Sequence, residues 1–148
     1  MRMRSLLSFY RRPRHEKRLL VTAFVLLAFV RAGLWSLSLQ QLRRLLEQRV
    51  SPAAALRSGM RSDVGRISWA VTTASRFIPR ATCLVQALAL QTMLRQHGIA
   101  SSLNIGVAKQ DGDRLNAHAW IQHGDELIAC GSNPVDYTPL LVLETETV

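Results

Sequence analysis

Two residues of this chain have the chemistry of a nucleophile and its base, and the first is Cys83. It opens a stretch rich in Ala, Leu and Gln that follows Pro79, with Thr82 placed as a helix N-cap and Gly98 as the C-terminal stop. A thiol in the first helical turn faces unpaired backbone N–H groups and the positive end of the helix dipole, which favour the thiolate. Helix position alone favours a buried, inert cysteine, because free cysteines are usually core residues.

The second residue, His118, lies in a segment whose side chains alternate between apolar and polar. The two sets are Leu115, Ala117, Ala119 and Ile121 on one face, and Asn116, His118, Trp120 and Gln122 on the other. This period of two predicts a β-strand. A cysteine at a helix start and a histidine on a following strand are the arrangement of a cysteine nucleophile with its general base. The spacing alone suggests this pair without specifying it.

Three blocks of sequence carry a family resemblance. They read PRATCLVQALALQTMLRQHGI (79–99), LNIGV (103–107) and NAHAWI (116–121). In this order they resemble the leader-peptidase B proteins of lasso-peptide biosynthesis, which are transglutaminase-like cysteine proteases. The resemblance covers residues 68–141, about half of the chain.

The resemblance implies a papain-like thiol peptidase that removes the leader from a ribosomally made lasso-peptide precursor. Cys83 would be its nucleophile and His118 its general base and acid. The implied partners are the precursor peptide, a separate leader-binding protein and the lasso cyclase. The implied location is the cytoplasm, with membrane association left open.

The residue that orients the histidine departs from the family pattern. Such proteases commonly carry an Asp on the strand after the histidine, and a gap-free count places Cys130 there. The role is therefore open among Asn133, Asp125 and Asp136. Asp125 also suits a hairpin turn, whereas Asn133 could orient an imidazole through its side-chain carbonyl. A Cys–His dyad without a strong third member is the remaining alternative.

The net positive charge comes from the first third of the chain. The formal net charge is +9, and residues 1–50 hold eleven Lys and Arg against Glu16 and Glu47, whereas residues 51–148 hold eight of each sign. With 48% apolar residues, the 148-residue chain can build one modest core. We predict a basic and apolar helical N-terminal module at residues 1–50 and a transglutaminase-like peptidase domain at residues 51–148.

The N-terminal module turns from basic to apolar at Leu19. The apolar run ends at Val30, or at Leu39 if Arg31 is tolerated, which approaches the ~20 residues that a bilayer span needs. Apolar residues on every face predict a helix that is covered by protein or lies on lipid. We therefore expect Leu19 to Leu39 to dock against the domain or a partner protein, or to contact a membrane peripherally, with a true span as the third alternative.

The periodicity of the rest of the chain predicts an α+β fold. Helical spacing marks residues 38–48 and 63–78, the second with Asp63 as its N-cap. Beyond Gly98 a period of two predicts three antiparallel strands, near 102–108, 115–122 and 127–130. N-terminal helices would thus precede a transglutaminase- or papain-like core in which the Cys-bearing helix packs on a small antiparallel sheet.

Two other classes of function stay open. One is a transglutaminase-like acyl transferase, which would place an added amine in its product, and the other is a non-catalytic, membrane-associated adaptor with a degenerate site. Two cysteines without ligand spacing argue against a metal site, and no glycine-rich phosphate loop is present, so no cofactor is expected. The basic cluster has no interleaved aromatic residues, so nucleic acid is not an expected partner.

Overall fold

The computed structural model describes residues 13–48, 61–110, 114–128 and 138–144. Within these ranges, helices come first along the chain and strands follow. The helices are α1 (Arg14–Ser36), α2 (Leu39–Gln48), α3 (Arg61–Ser75) and α4 (Cys83–Gln96). This arrangement confirms the predicted combination of helices with an antiparallel sheet.

The described strands form one antiparallel sheet with the order β3-β2-β1-β4. The strands are β1 (Ser102–Gln110), β2 (Arg114–His123), β3 (Glu126–Ile128) and β4 (Thr138–Glu144). β1 pairs with β2 on one side and with β4 on the other, and β3 pairs with β2. Three strands were expected, so β4 is an addition, and of the third expected strand residues 129 and 130 lie outside the described residues.

The start of α2 is fixed by a capping box. The Ser38 hydroxyl accepts a hydrogen bond from the Gln41 backbone N–H at 3.3 Å, and the Gln41 side-chain oxygen accepts one from the Ser38 N–H at 3.0 Å. One turn later Leu42 meets α1 at Gly33, where a β-carbon would come within 2.6 Å of a Leu42 methyl carbon. The missing side chain of Gly33 therefore lets α2 fold back closely onto α1.

The bounds of α3 differ from the expected ones at both ends. The helix begins at Arg61, so Asp63 lies in its first turn and the prediction of Asp63 as the N-cap was wrong. A carboxylate in the first turn still suits the helix dipole. The helix ends at Ser75, although the apolar period continues to Ile78, and Phe77 in that continuation is 64% exposed. The apolar spacing therefore extended beyond the helix itself.

One hydrophobic core joins the helices to the sheet. α1 packs against α3 and α4, and α4 packs against α3 and β2. The main buried members are Ala23, Leu27, Val30, Leu42, Leu46, Ile67, Ala70, Val71, Leu88, Leu90, Met93, Leu94, Leu103, Ala119 and Ile121. The core thus contains residues from both sides of position 50. The expected boundary lies in residues 49–60, outside the described ranges, and stays a prediction.

A buried amide ties α4 to the sheet. Gln91 is 7% exposed, and its side-chain N–H₂ group donates to the backbone carbonyls of Ser101 at 3.3 Å and Leu143 at 3.0 Å. Ser101 precedes β1 and Leu143 belongs to β4. Because a buried amide left without acceptors is costly, these bonds fix the position of α4 along the sheet.

Candidate active site

The N-terminus of α4 places Cys83 in the first helical turn, as the sequence predicted. Thr82 has an extended backbone (φ −64°, ψ 165°), and its hydroxyl accepts the Val85 N–H at 3.5 Å, which is N-cap geometry. Cys83 is half-buried and packs against the hydrophobic core. At this position the first backbone N–H groups of the helix have no helical acceptor, so they are available to a negatively charged group.

A tight turn leads into this helix. The Ala81 N–H donates to the Ile78 carbonyl at 3.3 Å, and the Thr82 N–H donates to the Arg80 carbonyl at 2.9 Å. Arg80 has φ 59°, in the left-handed region that few non-glycine residues occupy. The Gln86 side chain reaches back from the second turn of α4 and donates to the Ala81 carbonyl at 2.9 Å. These hydrogen bonds fix the backbone directly before Cys83.

His118 lies in β2 and is buried, with 6% of its surface exposed. It shares a strand face with Trp120, two residues further on, because side chains alternate along a strand. The two rings are stacked, with centroids 6.3 Å apart and planes 19° from parallel. Trp120 is also 6% exposed, so one face of the imidazole is covered by an aromatic ring rather than by solvent.

The space for Trp120 is provided by Gly106 of β1. Gly106 pairs with His118 across the sheet, and the pairing of β1 with β4 shifts register between Ile105 and Gly106. A β-carbon at Gly106 would lie 2.8 and 2.9 Å from two ring carbons of Trp120 and 2.7 Å from the Thr138 carbonyl oxygen. A glycine inside a strand pattern is a known signal of a bulge or a close approach, so the sequence analysis could have identified this residue.

The structure brings Cys83 and His118 onto adjoining elements. Cys83 opens α4, His118 lies in the middle of β2, and these two elements pack against each other. By strand alternation His118 points to the opposite face of β2 from Ala119, a core residue. Cys83 packs against that core, so strand alternation counts against direct contact between the thiol and the imidazole, and their pairing stays a prediction.

The candidates for the orienting residue fall in different places. Asp125 is exposed in the turn between β2 and β3, and at about 3.3 Å per residue the end of β2 is roughly 17 Å from His118. That distance is far beyond hydrogen-bond reach, which makes Asp125 the least suitable candidate. Asn133, Asp136 and Cys130 lie outside the described residues.

A shallow cleft lies away from these residues, at the other end of α4. It is lined by Arg43, Leu46, Glu47, Leu88, Gln91, Thr92 and Arg95. An ion pair between Arg43 and Glu47, at 3.4 Å, lies along one side of it. Neither Cys83 nor His118 lines the cleft. Within the described ranges no group of three or more His, Cys, Asp or Glu side chains is placed to hold a metal ion.

Comparison with known protein families gives a match over most of the chain. The family model described as the transglutaminase-like superfamily matches residues 24–142, which include both Cys83 and His118. The match begins inside α1 and ends inside β4, so it extends over all the described elements. No curated protein and no solved structure matches the chain.

Proposed function

The chain belongs to the transglutaminase-like superfamily, and from this membership we propose that it is a cysteine peptidase that removes the leader from a lasso-peptide precursor. The superfamily supports thiol chemistry on peptide or amide bonds, as hydrolysis or as acyl transfer. The observation that carries the proposal is the position of Cys83 at the capped N-terminus of α4, where unpaired backbone N–H groups favour a thiolate. That the His118 side chain acts on this thiol is part of the proposal. The three sequence blocks that resemble leader-peptidase B proteins favour hydrolysis of a leader–core bond.

The proposed reaction has two steps. The Cys83 thiolate attacks the carbonyl carbon of the leader–core peptide bond, and the His118 imidazolium protonates the leaving amine as the C–N bond breaks. Water, deprotonated by His118, then attacks the thioester, which releases the leader carboxylate and restores the thiol. The Cys83 backbone N–H, in the first turn of α4, is the proposed donor to the oxyanion in both steps.

Trp120 has a supporting role in this scheme. Its ring stacks on His118 and occupies the space above Gly106. Both rings are buried, so we propose that the indole limits the space in which the imidazole can turn. The orienting hydrogen-bond partner is proposed to be Asn133 or Asp136, because Asp125 lies in an exposed turn beyond the end of β2.

The proposed partners are those expected from the resemblance to leader-peptidase B proteins. We propose that a separate leader-binding protein presents the precursor. The lasso cyclase would then receive the released core peptide. This scheme places the reaction in the cytoplasm, where precursor peptides are made.

Mass spectrometry of a precursor incubated with this protein tests the proposal. The parent should cleave one bond, faster when the leader-binding protein is added, and Cys83→Ala and His118→Ala should each lower the rate by about a thousandfold or more. His123→Gln, on the same strand, is the matched control and should retain activity. Asp125→Ala should also retain activity, whereas Asn133→Ala or Asp136→Ala should slow cleavage.

Two outcomes would contradict the proposal. Cleavage that persists in Cys83→Ala would make the thiol structural. A product that carries an added primary amine in place of a free carboxylate would assign the chain to the acyl transferases of the superfamily.

A further inference from the structure

The outer face of α1 is entirely apolar over four turns. Every exposed residue of this helix from position 21 to position 35 has an apolar side chain, and together they form what we call the outer stripe. Its members are Val21, Phe24, Val25, Ala28, Phe29, Ala32 and Trp35. Val21 is 56% exposed, Val25 58% and Trp35 81%. A helix on the surface of a soluble domain normally presents polar residues there.

The inner face of the same helix is part of the protein core. Ala23, Leu27 and Val30 have no exposed surface and pack against α3 and α4. α1 is long and apolar enough to cross a membrane by length and composition, yet its inner face is already packed against protein. Crossing a bilayer would remove this face from the core, whereas lying in the interface leaves it in place. The two faces of α1 therefore fit a helix that lies in the plane of a membrane surface.

Charged and aromatic residues stand at the two ends of the outer stripe. Arg14 and Arg18, both exposed, precede it on the same side of the helix. At the other end, the Arg31 guanidinium lies 5.7 Å from the centre of the Trp35 ring. Tryptophan and arginine are typical anchors at the level of lipid headgroups. The ends of the stripe thus carry the residue types that hold a helix at an interface.

The distribution of charge along the chain indicates which kind of membrane the outer stripe would bind. Residues 1–50 carry the entire formal net charge of +9, while the remaining residues are balanced. Basic residues next to an apolar helix face are attracted to acidic headgroups. We propose that the outer stripe of α1 holds this protein on the surface of a membrane that contains anionic lipids. This attachment goes beyond the proposed peptidase activity and does not depend on it.

Vesicle flotation tests this proposal with the full-length protein. Vesicles of phosphatidylcholine alone are compared with vesicles in which part of the lipid is phosphatidylglycerol. We expect flotation with the anionic vesicles, weakened by high salt because the attraction to acidic headgroups is screened. Trp35 fluorescence should shift to shorter wavelength on binding, and Trp35→Phe should remove that shift.

Matched variants separate the stripe from general hydrophobicity. Replacing Val21, Val25 and Phe29 together by Gln should lower the vesicle partition constant by about a hundredfold or more. The control replaces three exposed apolar residues elsewhere by Gln, at Leu45, Phe77 and Leu140, and should leave the partition constant unchanged. Arg14→Gln with Arg18→Gln should lower partitioning into anionic vesicles by about tenfold. Far-ultraviolet circular dichroism verifies that each variant is folded.

Three results would overturn the proposal. Flotation with neither vesicle, or equal flotation with both, would show that no anionic surface is selected. An equal loss in the control variant would show that the outer stripe has no special role. If the stripe variant loses binding to the cyclase or leader-binding protein while the parent never floats, the outer stripe is a protein-docking surface instead.

Discussion

Arg80 adopts its left-handed backbone (φ 59°) three residues before Cys83. For a residue with a β-carbon this conformation costs about 1–2 kcal/mol relative to the right-handed region. The hydrogen bonds that surround it, from Ala81, Thr82 and Gln86, hold the backbone in place against that cost. The entry to α4 therefore contains a strained residue directly before the proposed nucleophile.

This strain predicts a difference between two substitutions at one position. Arg80→Gly should give a protein about 1 kcal/mol more stable than Arg80→Ala, because only the alanine keeps a β-carbon at positive φ. Both variants remove the same arginine side chain, so their difference isolates the backbone. Urea unfolding measures the free energy of each. Equal stabilities would show that the turn relaxes to an ordinary conformation without cost.

At the scale of single residues, the sequence predicted those residues whose conformation depends only on near neighbours in the chain. Thr82 and Cys83 were placed correctly because a cap and a first turn depend on a few neighbouring residues. Arg80 gave no comparable signal, since arginine is not a residue type enriched in left-handed turns. The covering of His118 by Trp120 also required the neighbouring strand, because it is the absence of a side chain at Gly106 that leaves room for the indole.

The junction of β1, β2 and β4 depends on one glycine. Gly106 stands at the register shift of β1, opposite His118, and lies under Trp120 and beside the Thr138 carbonyl. Because a backbone carbonyl cannot rotate away as a side chain can, a larger residue there must move β4 or the indole. The strand that carries His118 is therefore coupled to the edge strand through this position.

Gly106→Ala should lower the free energy of unfolding by about 1–3 kcal/mol through this overpacking. The matched control is Gly65→Ala in α3, where an added β-carbon meets nothing within 4 Å. That change should raise stability by about 0.5–1 kcal/mol, because alanine is the better helix residue. Urea unfolding of both variants shows whether each change lowers or raises the free energy of unfolding. A stabilising effect at Gly106 would contradict the close approach of Trp120 and Thr138.

Among the elements, those with a clear local period were predicted and β4 was not. α4, β1 and β2 have period and end signals that agree, so their positions follow from the sequence. β4 contains Pro139 and a consecutive run of Leu and Val, which predicts no alternation. It is a strand because β1 offers it a free edge, which is a property of the assembled sheet. The end of α3 was also missed, because the apolar period of the sequence continues past Ser75, where the helix ends.

At the scale of the whole molecule, α1 packs with one face on α3 and α4 and leaves its other face exposed. Its apolar residues on every face predicted contact with protein or with lipid, and the structure assigns different faces to different surroundings. Ala23, Leu27 and Val30 enter the core, whereas the outer stripe remains exposed. Sequence periodicity could not divide the two faces, because both are apolar and only the packing partners distinguish them.

We expect substitutions on the two faces of α1 to change the free energy of unfolding by very different amounts. Leu27→Ala should cost about 2–5 kcal/mol of unfolding free energy, because it leaves a cavity between α1 and its neighbours. Val25→Ala, at a position that is 58% exposed, should change stability by no more than about 0.5 kcal/mol. Thermal and urea unfolding of the two proteins provide the comparison. A small effect of Leu27→Ala would mean that α1 contributes little to the core.

The amide of Gln91 has a consequence for the order in which the molecule is completed. One of its two acceptors is the carbonyl of Leu143, 52 positions further along the chain. During translation α4 and the β1–β2 hairpin leave the ribosome before β4 does, so nascent α4 lacks that acceptor and β1 has one bare edge. The second of the two hydrogen bonds that join Gln91 to the sheet can therefore form only after β4 has emerged.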